Sequence, residues 1–205
     1  MSLWWLLALP FLASAVAALA STRSRDALAL LAGGVAVCNA VLLGWQFSAI
    51  ADGGVVQARL AWLPSLGVDL ILRIDGLAWL FGMLVSVIGA LVVLYARYYL
   101  SQEDPAARFY SLLLAFMGAM LGVVLSGNLI QLVVFWELTS VFSFLLIGYW
   151  HHRKDARRGA RMALVVTAAG GLCLLGGVLL LGHIAGSYEL DRVLAAGEAV
   201  RAHPL

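Results

Sequence analysis

The chain alternates between long apolar stretches and short polar connections. Six stretches have the length that a membrane-spanning helix needs, which is about 20 residues with a range of about 17–25. No lysine or arginine lies in the centre of any of them, and tryptophan or tyrosine marks many of their ends, as at a membrane interface. The pattern predicts an all-α integral membrane protein with about six transmembrane helices: Leu3–Ala20, Ala27–Phe47, Leu77–Tyr98, Phe109–Leu125, Leu129–Trp150 and Ala160–Ile184.

The polar connection at residues 48–75 separates two groups of helices. Residues 1–47 carry the first two predicted helices, and residues 76–184 carry the other four. The connection is too polar to span the membrane. Residues alternate in character on both sides of Pro64-Ser-Leu-Gly67, which predicts an outer β-hairpin; an irregular loop is the alternative.

Residues 185–205 form a second polar segment, in which we expect Leu190–Val200 to be a short amphipathic helix. No closing apolar stretch follows it, so we expect the chain to be a fragment of a longer protein or a short form.

The first apolar stretch also resembles a secretory signal peptide, because Ala18-Leu-Ala20 is similar to a cleavage site. The charges favour a retained helix instead. No basic residue precedes the apolar run, whereas Arg23 and Arg25 follow it, and a signal peptide has the opposite order.

Composition changes the picture by excluding other protein classes. Apolar residues make up 63% of the chain and charged residues 12%, whereas soluble domains have about 45–50% and about 25%. A net charge of +2 gives no reason to expect a nucleic-acid partner. Cys38 and Cys173 lie in apolar runs and are expected to be small buried hydrophobes, and no motif predicts a cofactor or a metal site.

The basic residues predict the orientation in the membrane. Nine of the 13 lie on one side of the predicted helices: Arg23, Arg25, Arg97, Arg108, Arg153, Lys154, Arg157, Arg158 and Arg161. The positive-inside rule places that side in the cytoplasm, and both ends of the chain outside.

Glu137 is the one acidic residue among 11 that lies in the middle of an apolar stretch. Placing an acid at that depth costs about 3 kcal/mol on insertion scales, so its side chain must face other helices, a partner or water. Burial favours the neutral acid and a nearby cation favours the carboxylate, so a group under both influences can take up and release a proton. We therefore predict that Glu137 is a proton relay; the alternative is a carboxyl group that only orients helix packing.

Two further residues are candidates for supporting roles. Ser140 lies nearly one turn after Glu137 on a similar face and is predicted to hold a water molecule. His183 lies near the outer end of the last predicted helix, where we consider a role in proton entry or exit.

Several motifs resemble one known family. They include Phe116-Met-Gly-Ala-Met-Leu-Gly, Phe135-Trp-Glu-Leu-Thr-Ser, Ser143-Phe-Leu-Leu-Ile-Gly-Tyr-Trp and, upstream, Arg73-Ile-Asp-Gly-Leu-Ala. Over roughly residues 60–195 the chain resembles the N-terminal part of the A subunit of multisubunit Mrp-type Na⁺/H⁺ antiporters. It also resembles the related antiporter-like subunits of respiratory complex I.

The resemblance implies a fold, a site and partners. The fold is a helical bundle of inverted five-helix repeats, and the functional acid of the family maps onto Glu137. Its lysine partner lies on a broken helix that would come after Leu205. The resemblance further implies other membrane subunits as partners, H⁺ and Na⁺ (or K⁺) as transported ions, and a multi-pass location in the bacterial cytoplasmic membrane.

Two branches of this family remain open as interpretations. The distal subunit of complex I usually has an acid in the sixth helix, where this chain has Thr167-Ala-Ala-Gly-Gly-Leu. The segments Arg157-Arg-Gly-Ala-Arg and Gly182-His-Ile-Ala-Gly-Ser-Tyr also favour the antiporter. The alternatives are a proton-pumping subunit of an NADH–quinone oxidoreductase and an accessory membrane scaffold without transport activity.

Overall fold

A computed structural model describes residues 3–20, 25–63 and 68–203 of the chain. Within these ranges the elements are, in order, α1 (Trp4–Leu19), α2 (Arg25–Trp45), α3 (Phe47–Ile50), β1 (Val56–Leu63), β2 (Val68–Ile74), α4 (Gly76–Tyr99), α5 (Ala106–Val124), α6 (Leu129–Ile147), α7 (Lys154–Ala185), α8 (Leu190–Ala195) and α9 (Gly197–Ala202). Arg23 and the predicted turn at Pro64–Gly67 lie outside the described residues.

The long helices confirm the predicted membrane fold. Among the described residues, α2, α4, α5, α6 and α7 are each long and apolar enough to cross a bilayer. Helix α1 is apolar but has only 16 residues, which span about 24 Å of a hydrocarbon core that is about 30 Å thick. The expected set of about six therefore consists of five helices of spanning length and one shorter helix.

The long helices pack against one another mainly in four pairs, and weaker contacts of α1 with α2 and of α4 with α5 connect these pairs. Helix α1 packs against α5, α2 against α4, α5 against α6, and α6 against α7. Glycine permits two of these approaches. A Cβ atom at Gly118 would lie 3.0 Å from the ring of Phe11 on α1, and one at Gly122 would overlap the ring of Phe135 on α6. In lipid, the hydrophobic effect does not drive helices together. Small residues let their backbones approach closely, and the resulting close packing stabilises the pair.

A proline in α1 creates a polar contact with α2. Pro10 has no backbone N–H, so the carbonyl of Leu6, four residues earlier, lacks its normal helical donor. The side chain of Asn39, which is fully buried, donates from Nδ2 to that carbonyl at 3.2 Å. The contact satisfies a backbone group that would otherwise stay unpaired in the membrane interior.

Two expectations from the sequence were wrong in detail. Helix α7 begins at Lys154, six residues before the predicted span, because hydropathy marks where a helix enters lipid and not where it starts in water. Cys38 and Cys173 are exposed and not buried, because they lie on helix faces that no described helix covers.

The predicted hairpin is confirmed. Strands β1 and β2 are antiparallel, with Val56 opposite Ile74 and Leu60 opposite Leu70, and the register shifts between Ala61 and Leu63. The second polar segment differs from its prediction, since it forms two short helices, α8 and α9, where one was expected.

Strand β2 continues into a larger set of backbone contacts. The N–H of Arg73 donates to the carbonyl of Leu125 at 2.8 Å, and the N–H of Gly127 donates to the carbonyl of Ile71 at 2.7 Å. On its other side, Gly127 accepts from the N–H of Leu190 at 2.9 Å. We call β1, β2 and residues 125–128 and 188–192 the clasp, because together they join the start of α6 to the end of α7.

Candidate functional site

The clasp fixes the N-terminus of α6 and therefore the depth of Glu137. The Asn128 side chain caps α6 by accepting from the N–H of Ile130 at 2.9 Å. One turn later, the buried Oε1 of Gln131 accepts from the N–H of Ile71 in β2 at 2.7 Å. Glu137 is the ninth of the 19 residues of α6. It therefore lies about 12 Å along the helix axis from Leu129, near the middle of the span.

The Glu137 carboxyl group projects towards α7 and meets it at Gly171. A Cβ atom built on Gly171 would overlap Oε1 of Glu137 and lie 2.8 Å from its Cδ. The oxygen thus occupies the space that any other residue's side chain would fill, directly against the backbone of Gly171. We call this contact the glycine notch. The neighbouring Gly170 has no described atom within 4 Å of its own Cβ position.

No strong partner satisfies the Glu137 carboxyl within the described residues. Neither a hydrogen-bond donor nor a cation lies within bonding distance of it there. Its side chain is partly exposed, beside Trp136 on the exposed face of α6. The arrangement leaves the carboxyl oxygens open to a proton, to water or to a cation supplied from elsewhere.

The structure places the two supporting candidates differently. Ser140 is buried, and its hydroxyl donates to the carbonyl of Trp136 at 3.3 Å in the same helix. His183 is exposed in the last turn of α7. It lies 12 residues after Gly171, which is about 18 Å along the axis. The structure therefore does not bring His183 to Glu137, and the roles proposed for both residues stay predictions.

The charged residues of the clasp are paired, in contrast to Glu137. In the clasp, Arg59 makes a two-pronged ion pair with Glu189, with Nη2–Oε2 2.8 Å and Nη1–Oε1 2.9 Å. Arg73 bridges Asp191, with Nε–Oδ1 2.8 Å, and also Asp75. These links join the hairpin to the segment after α7.

The pairing shifts the acidity of Glu189 in the clasp and of Asp75, which directly follows β2. The hydrogen bond from Arg59 lowers the pKa of Glu189. Burial acts to raise the pKa of Asp75, but hydrogen bonds from the N–H of Ala78 and from Arg73 outweigh it, so the pKa is lowered. Both groups are therefore held as carboxylates at neutral pH.

Sequence reasoning missed both the glycine notch and the clasp pairing. The pair Gly170-Gly171 was visible, but nothing in the sequence says which glycine faces Glu137. The opposite charges in residues 57–75 and 188–192 were also visible, but more than 100 residues separate them. Among the described residues, no three His, Cys, Asp or Glu side chains come together as ligands of a metal ion would.

Comparison with known proteins identifies the family. A family model described as "NADH:quinone oxidoreductase/Mrp antiporter, TM" matches residues 126–203, which include Glu137, Gly171 and half of the clasp. A second, described as "NADH-Ubiquinone oxidoreductase (complex I), chain 5 N-terminus", matches residues 62–110. The chain belongs to this family of antiporter-like membrane subunits. The family resemblance that the sequence motifs indicated is thus confirmed.

Curated relatives refine the position within this family. The chain is 55% identical over 196 residues to the A/B subunit of a probable K⁺/H⁺ antiporter of Rhizobium meliloti strain 1021, covering 96% of this chain and 20% of that protein. It is 47% identical over 148 residues to the A subunit of a Na⁺/H⁺ antiporter of Alkalihalophilus pseudofirmus, covering 72% of this chain and 18% of that protein. The chain therefore spans about a fifth of the length of these relatives.

Solved structures show the same fold. A chain of the Mrp complex from Dietzia sp. DQ12-45-1b matches with a TM-score of 0.79 and 35% identity, covering 95% of this chain and 21% of that chain. A chain of an archaeal membrane-bound sulfane sulfur reductase matches with a TM-score of 0.76 over 96% of this chain and 40% of that chain. The second match is only 19% identical, so it bears on the fold alone.

Proposed function

We propose that this chain forms part of the A subunit of a multisubunit monovalent cation/H⁺ antiporter, in which Glu137 carries a proton during exchange. The transported cation is Na⁺ or K⁺, and the other partners are further membrane subunits of the same complex. The location is the bacterial cytoplasmic membrane, with the basic connections in the cytoplasm.

One observation carries this proposal: the unpaired Glu137 carboxyl halfway along α6, held against the Gly171 notch. An acid at that depth costs about 3 kcal/mol or more to insert. A carboxyl retained only for structure should have donors that offset this energy, as Glu189 has in Arg59 and Asp191 has in Arg73. Glu137 has no such donor among the described residues, and we therefore infer that its carboxyl group is retained to bind and release a proton.

The sequence opposite Glu137 favours the antiporter over an NADH–quinone oxidoreductase. Helix α7 has no acidic residue between Arg161 and its end at Ala185. The names of the two curated relatives agree, since one is a K⁺/H⁺ and the other a Na⁺/H⁺ antiporter component. Oxidoreductase chemistry would need redox groups on other subunits.

The test is Glu137→Gln in the complete complex, with Glu198→Gln as a matched control because Glu198 is exposed on α9. Both variants should assemble. In inside-out vesicles with an imposed pH gradient, we expect Glu137→Gln to abolish Na⁺- or K⁺-dependent proton release. Glu198→Gln should retain it. Exchange at the native rate in assembled Glu137→Gln would refute the proposal.

A further inference from the structure

A basic pocket lies at the end of the bundle opposite the clasp. It has a volume of about 350 Å³ and is formed by the start of α5, the end of α6 and the first turns of α7. Arg108, Arg157 and Arg161 supply its charge, and Phe144, Leu145 and Ala160 supply apolar wall. We call it the arginine pocket.

The three arginines have no carboxylate partner within the described residues. Arg157 donates to the carbonyl of His151 at 2.8 Å, and Arg161 reaches the carbonyl of Arg157 at 3.4 Å. Nη1 of Arg108 lies 3.4 Å from Nδ1 of His151, which also lines the pocket. Each guanidinium has five N–H donors, so most of the donors in the pocket are unused.

The nearby acids face elsewhere. Asp155 precedes Arg157 by two residues, a rotation of about 200° around α7, which puts it on the opposite face of the helix. Asp104 accepts from Nε1 of Trp150 at 2.9 Å and does not line the pocket. No acidic residue lines the pocket, so its lining is net positive, although Glu103 and Asp104 line the adjoining cavity that shares His151.

The position of the pocket at the apolar end of α6 indicates that it lies near a membrane interface. Trp150, which is partly exposed, lies three residues after the end of α6, and tryptophan favours the interface. Arg153 lies over the Trp150 ring, with Cζ 5.4 Å from its centroid. Phe144 and Leu145 lie one turn deeper in the apolar part of α6.

We infer that the arginine pocket binds one anionic phospholipid, with its phosphate between Arg108, Arg157 and Arg161 and an acyl chain along Phe144 and Leu145. One guanidinium group can donate two parallel, charge-assisted hydrogen bonds to two oxygens of the same phosphate. Basic pockets between transmembrane helices on the cytoplasmic side suit anionic headgroups. The combination of a charged mouth and an apolar wall fits a lipid better than an acidic protein segment, which needs no apolar wall.

The test measures lipid retained by the complete antiporter complex, purified in mild detergent from membranes that contain phosphatidylglycerol. The pocket variant is Arg108→Gln with Arg157→Gln and Arg161→Gln. The control is Arg153→Gln with Lys154→Gln and Arg158→Gln, which removes the same charge from the same region but spares the pocket lining. Extracted phosphatidylglycerol per complex is counted by mass spectrometry.

We expect the pocket variant to retain at least about fivefold less tightly bound phosphatidylglycerol than the native complex, and the control to stay within about twofold of it. Arg108→Gln alone should lower retention in the same direction, and it leaves α7 unchanged if the triple variant does not assemble. In delipidated complex, short-chain phosphatidylglycerol should raise the melting temperature and inorganic phosphate should not.

Three results would overturn the inference. Equal loss in the pocket variant and the control would show attraction to overall charge and not a site. Stabilisation by inorganic phosphate alone would show a site for a free anion. Native lipid retention in a pocket variant that instead loses a neighbouring subunit would assign the pocket to a protein contact. None of these readouts depends on cation exchange, so the inference and the proposed function fail separately.

Discussion

The glycine notch and the clasp treat charge in opposite ways. In the clasp, Arg59, Arg73, Glu189 and Asp191 lie outside the span and each meets a partner of opposite sign. At the notch, Glu137 lies in the middle of the span against Gly171, and no described residue forms a hydrogen bond or an ion pair with its carboxyl group. An ionisable group costs more free energy in the middle of the span than outside it, yet Glu137 has fewer partners than the clasp residues have.

This difference separates a structural role from a functional one. Exposed ion pairs contribute little energy each, but several of them with backbone bonds hold the ends of α6 and α7 in register. That register decides whether Glu137 meets Gly171 at all. We therefore expect changes in the clasp to act on stability and changes at the notch to act on exchange.

The largest expected effect beyond Glu137 itself is that of Gly171→Ala. Its Cβ would overlap Oε1 of Glu137, so the carboxyl must move. We expect cation/H⁺ exchange in vesicles to fall at least about tenfold, or about 1.4 kcal/mol in the barrier. Gly170→Ala is the control, since no described atom lies near its Cβ position.

A second substitution sharpens this prediction. Glu137→Asp shortens the side chain, so the pair Gly171→Ala with Glu137→Asp should lose less than the two single changes together. Additive losses, or a Gly170→Ala variant as impaired as Gly171→Ala, would mean that the notch does not position the carboxyl.

Asn39→Leu should come next, and it should affect stability. The change leaves the Leu6 carbonyl without a donor, at a cost of about 1 kcal/mol. Thermal denaturation of the complete complex should therefore shift to lower temperature, by about 1 °C or less because the shift falls with protein size, with exchange unchanged below the transition. Pro10→Ala restores a backbone N–H four residues after Leu6, so it should rescue much of the loss. Absence of rescue would refute this explanation of the contact.

Breaking the clasp should have a smaller effect. Arg59→Gln removes the ion pair with Glu189, which is worth about 0.5–1 kcal/mol at such an exposed site. Hydrogen exchange at the amides of Leu129 and Leu190, both bonded across the clasp, should become about two- to fivefold faster. Arg201→Gln, on exposed α9, is the control. A large loss of cation exchange in Arg59→Gln would contradict the division of roles.

The pH dependence of the clasp is the smallest effect. The folded-state pKa values of Glu189 and Asp75 are lowered. Their stabilisation is therefore complete above the unfolded-state pKa of about 4 and is lost as pH falls through the folded values. The difference in Leu190 amide exchange between the native protein and Arg59→Gln should stay constant from about pH 8 to 5 and shrink below about pH 4. A difference that already shrinks near pH 6 would contradict this assignment.

The sequence predicted those features that depend on local pattern. Apolar length predicts the helices, alternation around Pro64–Gly67 predicts the hairpin, and a lone acid at Glu137 stands out against its neighbours. The start of α7 was missed, because the basic turn from Lys154 is helical without being apolar.

Features that depend on distant contacts were not predictable from one sequence. Which face of α7 meets Glu137 depends on how α6 and α7 cross, and the choice between Gly170 and Gly171 follows from that geometry. The clasp joins residues 57–75 to residues 188–192, which are separated by four helices in the sequence. A local pattern of apolar and polar residues does not indicate which distant segments pair.

The proposed exchange depends on a Glu137 carboxyl that gains and loses a proton during turnover. Infrared difference spectroscopy of the reconstituted complex, at low and high cation concentration, tests this directly. We expect a protonated-carboxyl C=O band that decreases when cation is added, shifts in D₂O, is absent in Glu137→Gln and persists in Glu198→Gln. A band that remains in Glu137→Gln, or a Glu137 signal that does not respond to cation in an actively exchanging complex, would contradict the claim.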